Sequence, residues 1–274
     1  MDQELKDKYI QLKTEIKNCG SVVVAFSGGV DSSLVAFVAG QELGKQALAV
    51  TSGSASLKRS DLELTRHLAK EWGIQHEVIL TNELENPNYK ANPVNRCYYC
   101  KTALYELLED LAARKGYLKV LNGTNCDDLG DFRPGLQAAS EHKVVSPLVS
   151  AGFNKQDIRT LSQHLGLKNA QKPQAACLSS RVPYGTAISR NLLTQVERAE
   201  NVLASLGFTQ FRVRHHGDVA RLEVGKQELA QALELGETLT KQIQACGYRF
   251  VALDLAGFRS GALNEGVIAV RQMK

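Results

Sequence analysis

Val22-Val23-Val24-Ala25-Phe26 runs directly into Ser27-Gly28-Gly29-Val30-Asp31-Ser32-Ser33, and the reading of this junction decides the fold. Five consecutive apolar residues, three of them valine, suit a short strand buried on both faces. The two glycines permit backbone conformations closed to other residues, and a helical pattern follows near 32–43. The same texture then repeats. Strand-like runs stand at 47–51, 76–81, 119–124 and 144–148, with helical stretches near 60–72, 98–115, 132–141 and 155–165. An amphipathic helix over 3–18, with Leu5, Tyr9, Leu12 and Ile16 on one face, comes before them all. Strands alternating with helices predict an α/β domain, a parallel sheet covered on both faces. Ligands in such folds bind at the carboxyl ends of the strands.

From about residue 168 the pattern changes. Residues 171–189 lack a clear period and contain Pro173, Pro183 and Gly185; structureless stretches of that length are usually functional or linkers. A helix over 190–206, two strands around Gly217-Asp218, a helix over 226–245 and a strand over 249–255 follow. The expected organisation is an α/β domain over 1–167 and a smaller α+β domain over 168–274.

The bulk numbers fit an ordinary globular enzyme. The chain has 274 residues, 43% hydrophobic and 23% charged, with a formal charge of +4. That charge is too small to argue for nucleic acid, but it suits a pocket for anionic ligands. The first residues are charged and lack a signal-peptide core, and no apolar run approaches a membrane span, so a cytoplasmic protein is expected. The six cysteines are too sparse for a disulfide framework. Cys19 and Cys246, each before a glycine at a helix end, read as packing thiols.

The 27–33 segment has the makings of an anion cradle. Its N–H groups converge at a helix start, Ser27, Ser32 and Ser33 add hydroxyls, and Asp31 is placed to hold a magnesium ion bridging phosphates. A plain strand–turn–helix with Asp31 or Ser32 as N-cap fits the same residues, and the two readings are compatible. Neither the Walker pattern nor Gly-x-Gly-x-x-Gly is present.

Ser-Gly-Gly-Val-Asp-Ser-Ser after a first strand resembles the PP-loop of the ATP pyrophosphatase superfamily, with its adenine nucleotide alpha hydrolase-like fold. That superfamily includes GMP synthetases, NAD synthetases and tRNA thiouridylases. The resemblance implies that the loop grips the pyrophosphate of ATP while a substrate oxygen attacks the α-phosphorus. Gly123-Thr124-Asn125-Cys126-Asp127-Asp128 is similar to a second segment of the superfamily, which implies nucleotide contacts by Gly123, Thr124 and Asn125 and a Mg2+ ligand in Asp128 beside Asp31. Thr51-Ser52-Gly53 is placed for adenine or ribose, and Arg59 and Arg133 for phosphates.

Cys97-Tyr98-Tyr99-Cys100 opens a helix, so its thiols point the same way, and the helix start favours thiolates. Structural zinc, a redox dithiol and cluster ligation all fit that spacing. Cys177 lies in Ala176-Cys177-Leu178-Ser179-Ser180-Arg181, flanked by groups suited to an active site. Together with Phe132-Arg133-Pro134-Gly135 and the PP-loop, these segments resemble the LarE family along the whole chain. LarE enzymes are ATP-dependent sulfur transferases that serve synthesis of the nickel-pincer cofactor, converting carboxylates of pyridinium-3,5-biscarboxylic acid mononucleotide to thiocarboxylates. One branch sacrifices a cysteine at the position of Cys177. Another holds a [4Fe-4S] cluster on three cysteines, matched by Cys97, Cys100 and Cys177, and the CxxC favours that branch. The resemblance also implies a sulfide or other sulfur donor, a homo-oligomer, and substrate contacts at Ser180 and Arg181.

Phe211-Arg212-Val213-Arg214-His215-His216-Gly217-Asp218-Val219-Ala220-Arg221-Leu222-Glu223-Val224 reads as a hairpin on a two-residue loop. Arg214 then faces Arg221 and Arg212 faces Glu223. Like charges directly opposite destabilise a sheet, so these residues read either as an ordinary solvated face or as a pair with an anion between them. The LarE resemblance favours the second, with the substrate's phosphate or carboxylate as the anion. A tRNA thiolase and an ammonia-using amide synthase share the adenylylation chemistry. The first lacks support from a basic, aromatic-interleaved surface, and the second has no use for the three cysteines.

Overall fold

The structure is a computed structural model that describes residues 1–130, 134–173 and 176–259. Helix α1 (Gln3–Asn18) starts at Asp2, whose side chain accepts from the Leu5 amide at 2.8 Å. Its Leu5, Leu12 and Ile16 are buried, as their spacing predicts. The alternation follows: β1 (Val22–Ala25), α2 (Val30–Leu43), β2 (Ala47–Ser52), α3 (Arg59–Trp72) and β3 (Gln75–Ile79). The short helix α4 (Pro87–Lys90) belongs to the second unit. Then come α5 (Arg96–Lys115), β4 (Lys119–Leu121), α6 (Pro134–Glu141), α7 (Pro147–Ser150) and α8 (Lys155–His164).

The sheet order is β3-β2-β1-β4, all parallel, with Val22 opposite Ala47 on one side and Lys119 on the other. Val22 and Val24 face one apolar cluster with α1, α2 and α8, and Val23 faces another with α5. That two-sided burial explains the unbroken valine run.

Two expected strands are shorter than their apolar runs. The run at 144–148 makes a single parallel bridge, Leu121 to Val145. Pro147 has no N–H to donate and opens α7 instead. Strand β4 stops at Leu121 because Asn122 turns the chain: its Oδ1 accepts from the Thr124 amide at 3.0 Å and from Ser146 Oγ at 2.9 Å.

The chain divides into two compact units, Met1–Glu83 with Asn95–Ala175, and Leu84–Val94 with Ala176–Lys274. The division thus falls later than residue 167, and a short excursion is contributed to the second unit from inside the first. The second unit contains α9 (Arg190–Ser205), β5 (Phe211–His216), β6 (Val219–Val224), α10 (Leu229–Glu234), α11 (Gly236–Gln244) and β7 (Phe250–Leu253). Strands β5 and β6 pair antiparallel across Gly217-Asp218, and β7 joins β6 in parallel. The helix expected over 226–245 is broken at Leu235-Gly236. Cys246 is buried and Cys19 partly so. Burial pushes both thiols up in pKa, the inert condition expected of packing residues. No helix among the described residues is long and apolar enough to cross a membrane.

Gly40 stands inside α2, where glycine ordinarily costs up to about 1 kcal/mol against alanine. A methyl group there would overlap Ile74 Cγ2 and lie 3.2 Å from Ile74 Cβ. Gly40→Ala is therefore expected to destabilise the fold by about 1–3 kcal/mol, read as a lower denaturant midpoint, against the gain that helix propensity alone predicts.

Candidate active site

The PP-loop-like turn leaves the carboxyl end of β1. Gly28 has φ of +72°, and a methyl there would come 3.0 Å from Thr65 Cγ2. Helix α2 has Gly29 as its N-cap and no side chain capping it, so neither Asp31 nor Ser32 has the capping role. Ser32 closes the turn: its Oγ lies 3.0 Å from Ser27 Oγ and donates to Gly29 O at 3.2 Å. Ser33 is fully buried and accepts from Asn169 Nδ2 at 2.7 Å. Of the three hydroxyls expected at a ligand, Ser27 is the exposed one.

The 123–128 segment lies against this turn because β4 is the neighbour of β1. A methyl on Gly123 would come 2.6 Å from the Ser32 amide nitrogen, so only glycine permits the approach. Asn125 links two carboxylates, with Nδ2 3.4 Å from Asp31 Oδ1 and its amide 3.1 Å from Asp128 Oδ2. Lys155 Nζ grips both Asp31 oxygens, at 2.7 and 2.5 Å. Its own amide donates to Asp127 Oδ2 at 2.8 Å.

Other expected nucleotide contacts are partly engaged within the protein. Thr51 is buried, its Oγ1 donating to Phe26 O at 2.7 Å and lying 2.8 Å from His76 Nε2. Ser52 Oγ lies 2.6 Å from Thr81 Oγ1. Arg59 is exposed at the start of α3. Thr124 follows the Asn122 turn, and Arg133 lies outside the described residues. The assembled parts are an uncapped helix start, the Asp31 carboxylate ion-paired to Lys155, and Asp128 joined to Asp31 through Asn125, a set suited to a polyphosphate and its cation.

Cys97 and Cys100 occupy the first turn of α5; Cys97 is exposed and Cys100 partly so. Cys177, also partly exposed, opens a 3-10 turn over Leu178–Arg181. Among the described residues, no group of three or more His, Cys, Asp or Glu side chains is close enough to hold a metal ion. The three thiols remain accessible, soft donors of the kind that ligate iron–sulfur clusters.

Within the second unit the arginines are more deeply committed than the sequence suggests. Arg181 was expected at the substrate, but it is fully buried and ion-paired to Glu200 at 2.8 Å. Its Nη1 also donates to the carbonyls of Ala176 (2.6 Å) and Cys177 (3.0 Å) and to Ser180 Oγ (2.9 Å). It braces the turn that carries Cys177. Ser180 Oγ donates to Cys177 O at 2.7 Å, and Arg214 Nη1 reaches Ser180 O at 2.8 Å.

Arg214 does face Arg221, and Arg212 faces Glu223, in the expected register. The anion between the two facing arginines is the protein's own Glu223, 2.8 Å from Arg214 and 3.1 Å from Arg221. Asp254 pairs with Arg221 as well. Arg212 lies over the Phe258 ring, 5.0 Å from its centre. Burial, then the charges of Arg181 and Arg214, bring its guanidinium down to about 10, still protonated at neutral pH.

The asparagine synthase family matches residues 13–120, which hold the PP-loop-like turn. An uncharacterized protein of Synechocystis sp. is 45% identical over 95% of this chain and 98% of its own. The pyridinium-3,5-bisthiocarboxylic acid mononucleotide synthase of Lactiplantibacillus plantarum is 39% identical over 95% of both chains. The chain belongs to the LarE family. An uncharacterized protein of Methanocaldococcus jannaschii is more distant, at 27% over 91% of this chain and 94% of its own.

For a LarE protein, the residues that sequence reasoning overlooked are Lys155, Asn169 and Lys172, all beside the PP-loop. Lysines and asparagines outside a motif carry no periodic signal, and their partners lie more than a hundred positions away. The brace behind Cys177 is also testable. Glu200→Gln leaves the buried Arg181 charge without its counter-charge, a change that typically costs about 3–5 kcal/mol. Urea unfolding followed by circular dichroism is expected to show that loss.

Proposed function

We propose that this chain is an ATP-dependent, AMP-forming sulfur transferase that activates a carboxylate of pyridinium-3,5-biscarboxylic acid mononucleotide and replaces its oxygen with sulfur. The observation that carries the reading is the uncapped start of α2, with the Asp31 carboxylate and the Gly123 backbone packed beside it. The full-length relative named as a pyridinium-3,5-bisthiocarboxylic acid mononucleotide synthase supports the choice of substrate.

In this reading the carboxylate oxygen attacks the α-phosphorus of ATP, and the bond to the bridging oxygen of the β-phosphate breaks. Pyrophosphate leaves into the amides of Gly28, Gly29 and the first turn of α2, stabilised by the helix start. Asp31 and Asp128, each joined to Asn125, would hold the Mg2+ that accompanies ATP, with Lys155 Nζ beside Asp31 as a further cation for the phosphates. Ser27, Thr124 and Arg59 border the phosphates, while the chain at Thr51 and Ser52 borders the nucleoside. Sulfide from a donor then adds to the acyl carbon, and AMP departs with the original oxygen. Arg212, Arg214, Arg221 and Ser180 hold the substrate's anionic groups, and Arg181 acts behind them through the Cys177 turn.

Cys97, Cys100 and Cys177 are proposed as the ligands of a [4Fe-4S] cluster. Held by three thiolates, such a cluster supplies one iron open to exogenous sulfide. A cytoplasmic homo-oligomer completes the proposal.

Two experiments test it. With substrate present, the nucleotide products are expected to be AMP and pyrophosphate, and Asp31→Asn is expected to lower turnover at least about a hundredfold while keeping the circular dichroism of the parent. ADP as the main product refutes the adenylylation. Separately, anaerobic reconstitution with iron and sulfide is expected to load four irons per chain. Cys97→Ala, Cys100→Ala and Cys177→Ala should each abolish that loading. A full cluster in Cys177→Ala removes that residue from the ligand set.

A further inference from the structure

The carbonyl of Gly28 receives two side-chain donors from a segment that follows α8. Asn169 Nδ2 donates to it at 3.1 Å and Lys172 Nζ at 3.3 Å. Lys172 is itself held by Asp61 at 2.7 Å, both side chains being largely buried. Arg159 fixes the segment in turn, donating to Ala170 O at 3.0 Å and Lys172 O at 3.1 Å.

A carbonyl and the following N–H lie in one rigid trans peptide plane and point in opposite directions within it. Drawing the Gly28 carbonyl toward Asn169 and Lys172 therefore turns the Gly29 N–H the other way. On that side it meets Ser27 Oγ at a long 3.4 Å, and Ser27 is exposed. With φ of +72° at Gly28, no side chain of residue 28 resists rotation of this plane, so an external clamp is needed to fix it.

The orientation of Asn169 follows from its partners. The Gly28 carbonyl only accepts, so the amide nitrogen must face it. The other end, Asn169 Oδ1, is buried without a hydrogen-bond partner. An unpaired buried acceptor is costly, and a residue chosen for packing alone would avoid it. The end that is used is the donor, which reaches both Gly28 O at 3.1 Å and Ser33 Oγ at 2.7 Å.

We infer that Asn169 and Lys172 are positioning residues that lock the Gly28–Gly29 peptide so that its N–H faces the departing pyrophosphate. The inference rests on the phosphate-binding reading of the PP-loop. Each acts on the loop through the Gly28 carbonyl, at the edge of the peptide opposite the Gly29 N–H. Lys172 also places a positive charge behind the loop, and a donor of the same charge in its place preserves the effect.

The test compares two ligands by calorimetry: α,β-methylene ATP with Mg2+, which cannot be cleaved at the reacting bond, and adenosine, which lacks phosphates. Asn169→Ala and Lys172→Met are each expected to weaken the ATP analogue roughly tenfold, the worth of one charge-assisted or well-placed hydrogen bond. Adenosine affinity is expected to stay at the wild-type value, and Lys172→Arg is expected to recover most of the loss. Equal losses for both ligands in the two variants, or unchanged affinity for the analogue, overturn the inference. Should Asn169→Ala fail to fold, Lys172→Met and Lys172→Arg decide the matter alone. A wild-type chain that binds the analogue no more tightly than adenosine refutes the phosphate reading itself, a result distinct from failure of the variants.

Discussion

The close approach of Gly123 to the Ser32 amide sets the geometry of the nucleotide end of the first unit. It exists because β4 pairs directly with β1, so the chain leaves both strands at the same edge of the sheet. Contact at that distance tolerates no Cβ, and it brings Asn125 within reach of Asp31. From there the segment continues outward: the Cys126 amide donates to Phe153 O at 2.9 Å, and Asp127 accepts from the Lys155 amide. One backbone contact between two strand ends thereby links α2 to α8 through the five residues 123–127.

The second unit meets a different problem, the cost of buried charge. Arg181 and Glu200 are almost wholly removed from water, where an ion pair stabilises only if its remaining donors and acceptors are met. They largely are: Glu200 Oε1 also accepts from the Val213 amide at 3.2 Å, and Arg181 reaches two carbonyls and a hydroxyl. Glu223 is less completely served, with Oε1 near Arg221 but outside hydrogen-bond geometry, and Arg214 Nε is buried without a partner. Arg212, half-withdrawn from water, has its pKa lowered by that burial and by the charges of Arg181 and Arg214, while Glu200 and Glu223 work in the opposite direction.

How much of this was legible depends on whether a signal is periodic. The valine run, the glycine turn and the hairpin register follow from local rules, since a two-residue loop fixes which residues face each other. That is why Arg214 opposite Arg221 could be read from the chain. That Glu223 would supply the anion could not, because the diagonal reach of a glutamate depends on which side chains are buried. The run at 144–148 misled for an opposite reason. Its apolar character suits a strand, but Pro147 removes the donor that a ladder requires. Arg181 looked like a ligand group because sequence shows its neighbours and conceals its burial.

Helix α8 shows how a short element can serve several distant parts at once. Asn154 and Asp157 form a reciprocal capping box that fixes where the helix starts. Asp157 also accepts from Lys8 at 2.9 Å, which ties that start to α1. With the first turn so fixed, Lys155 and Arg159 stand four residues apart and lie on one face. Lys155 reaches forward to Asp31, while Arg159 holds the carbonyls of Ala170 and Lys172. A shift in the cap would displace both contacts together, because the helix between them is rigid. The position of Asp31 at the mouth of the loop and the support behind Gly28 are therefore set by the same four residues of sequence, 154–157, which the periodicity of the helix alone would not single out.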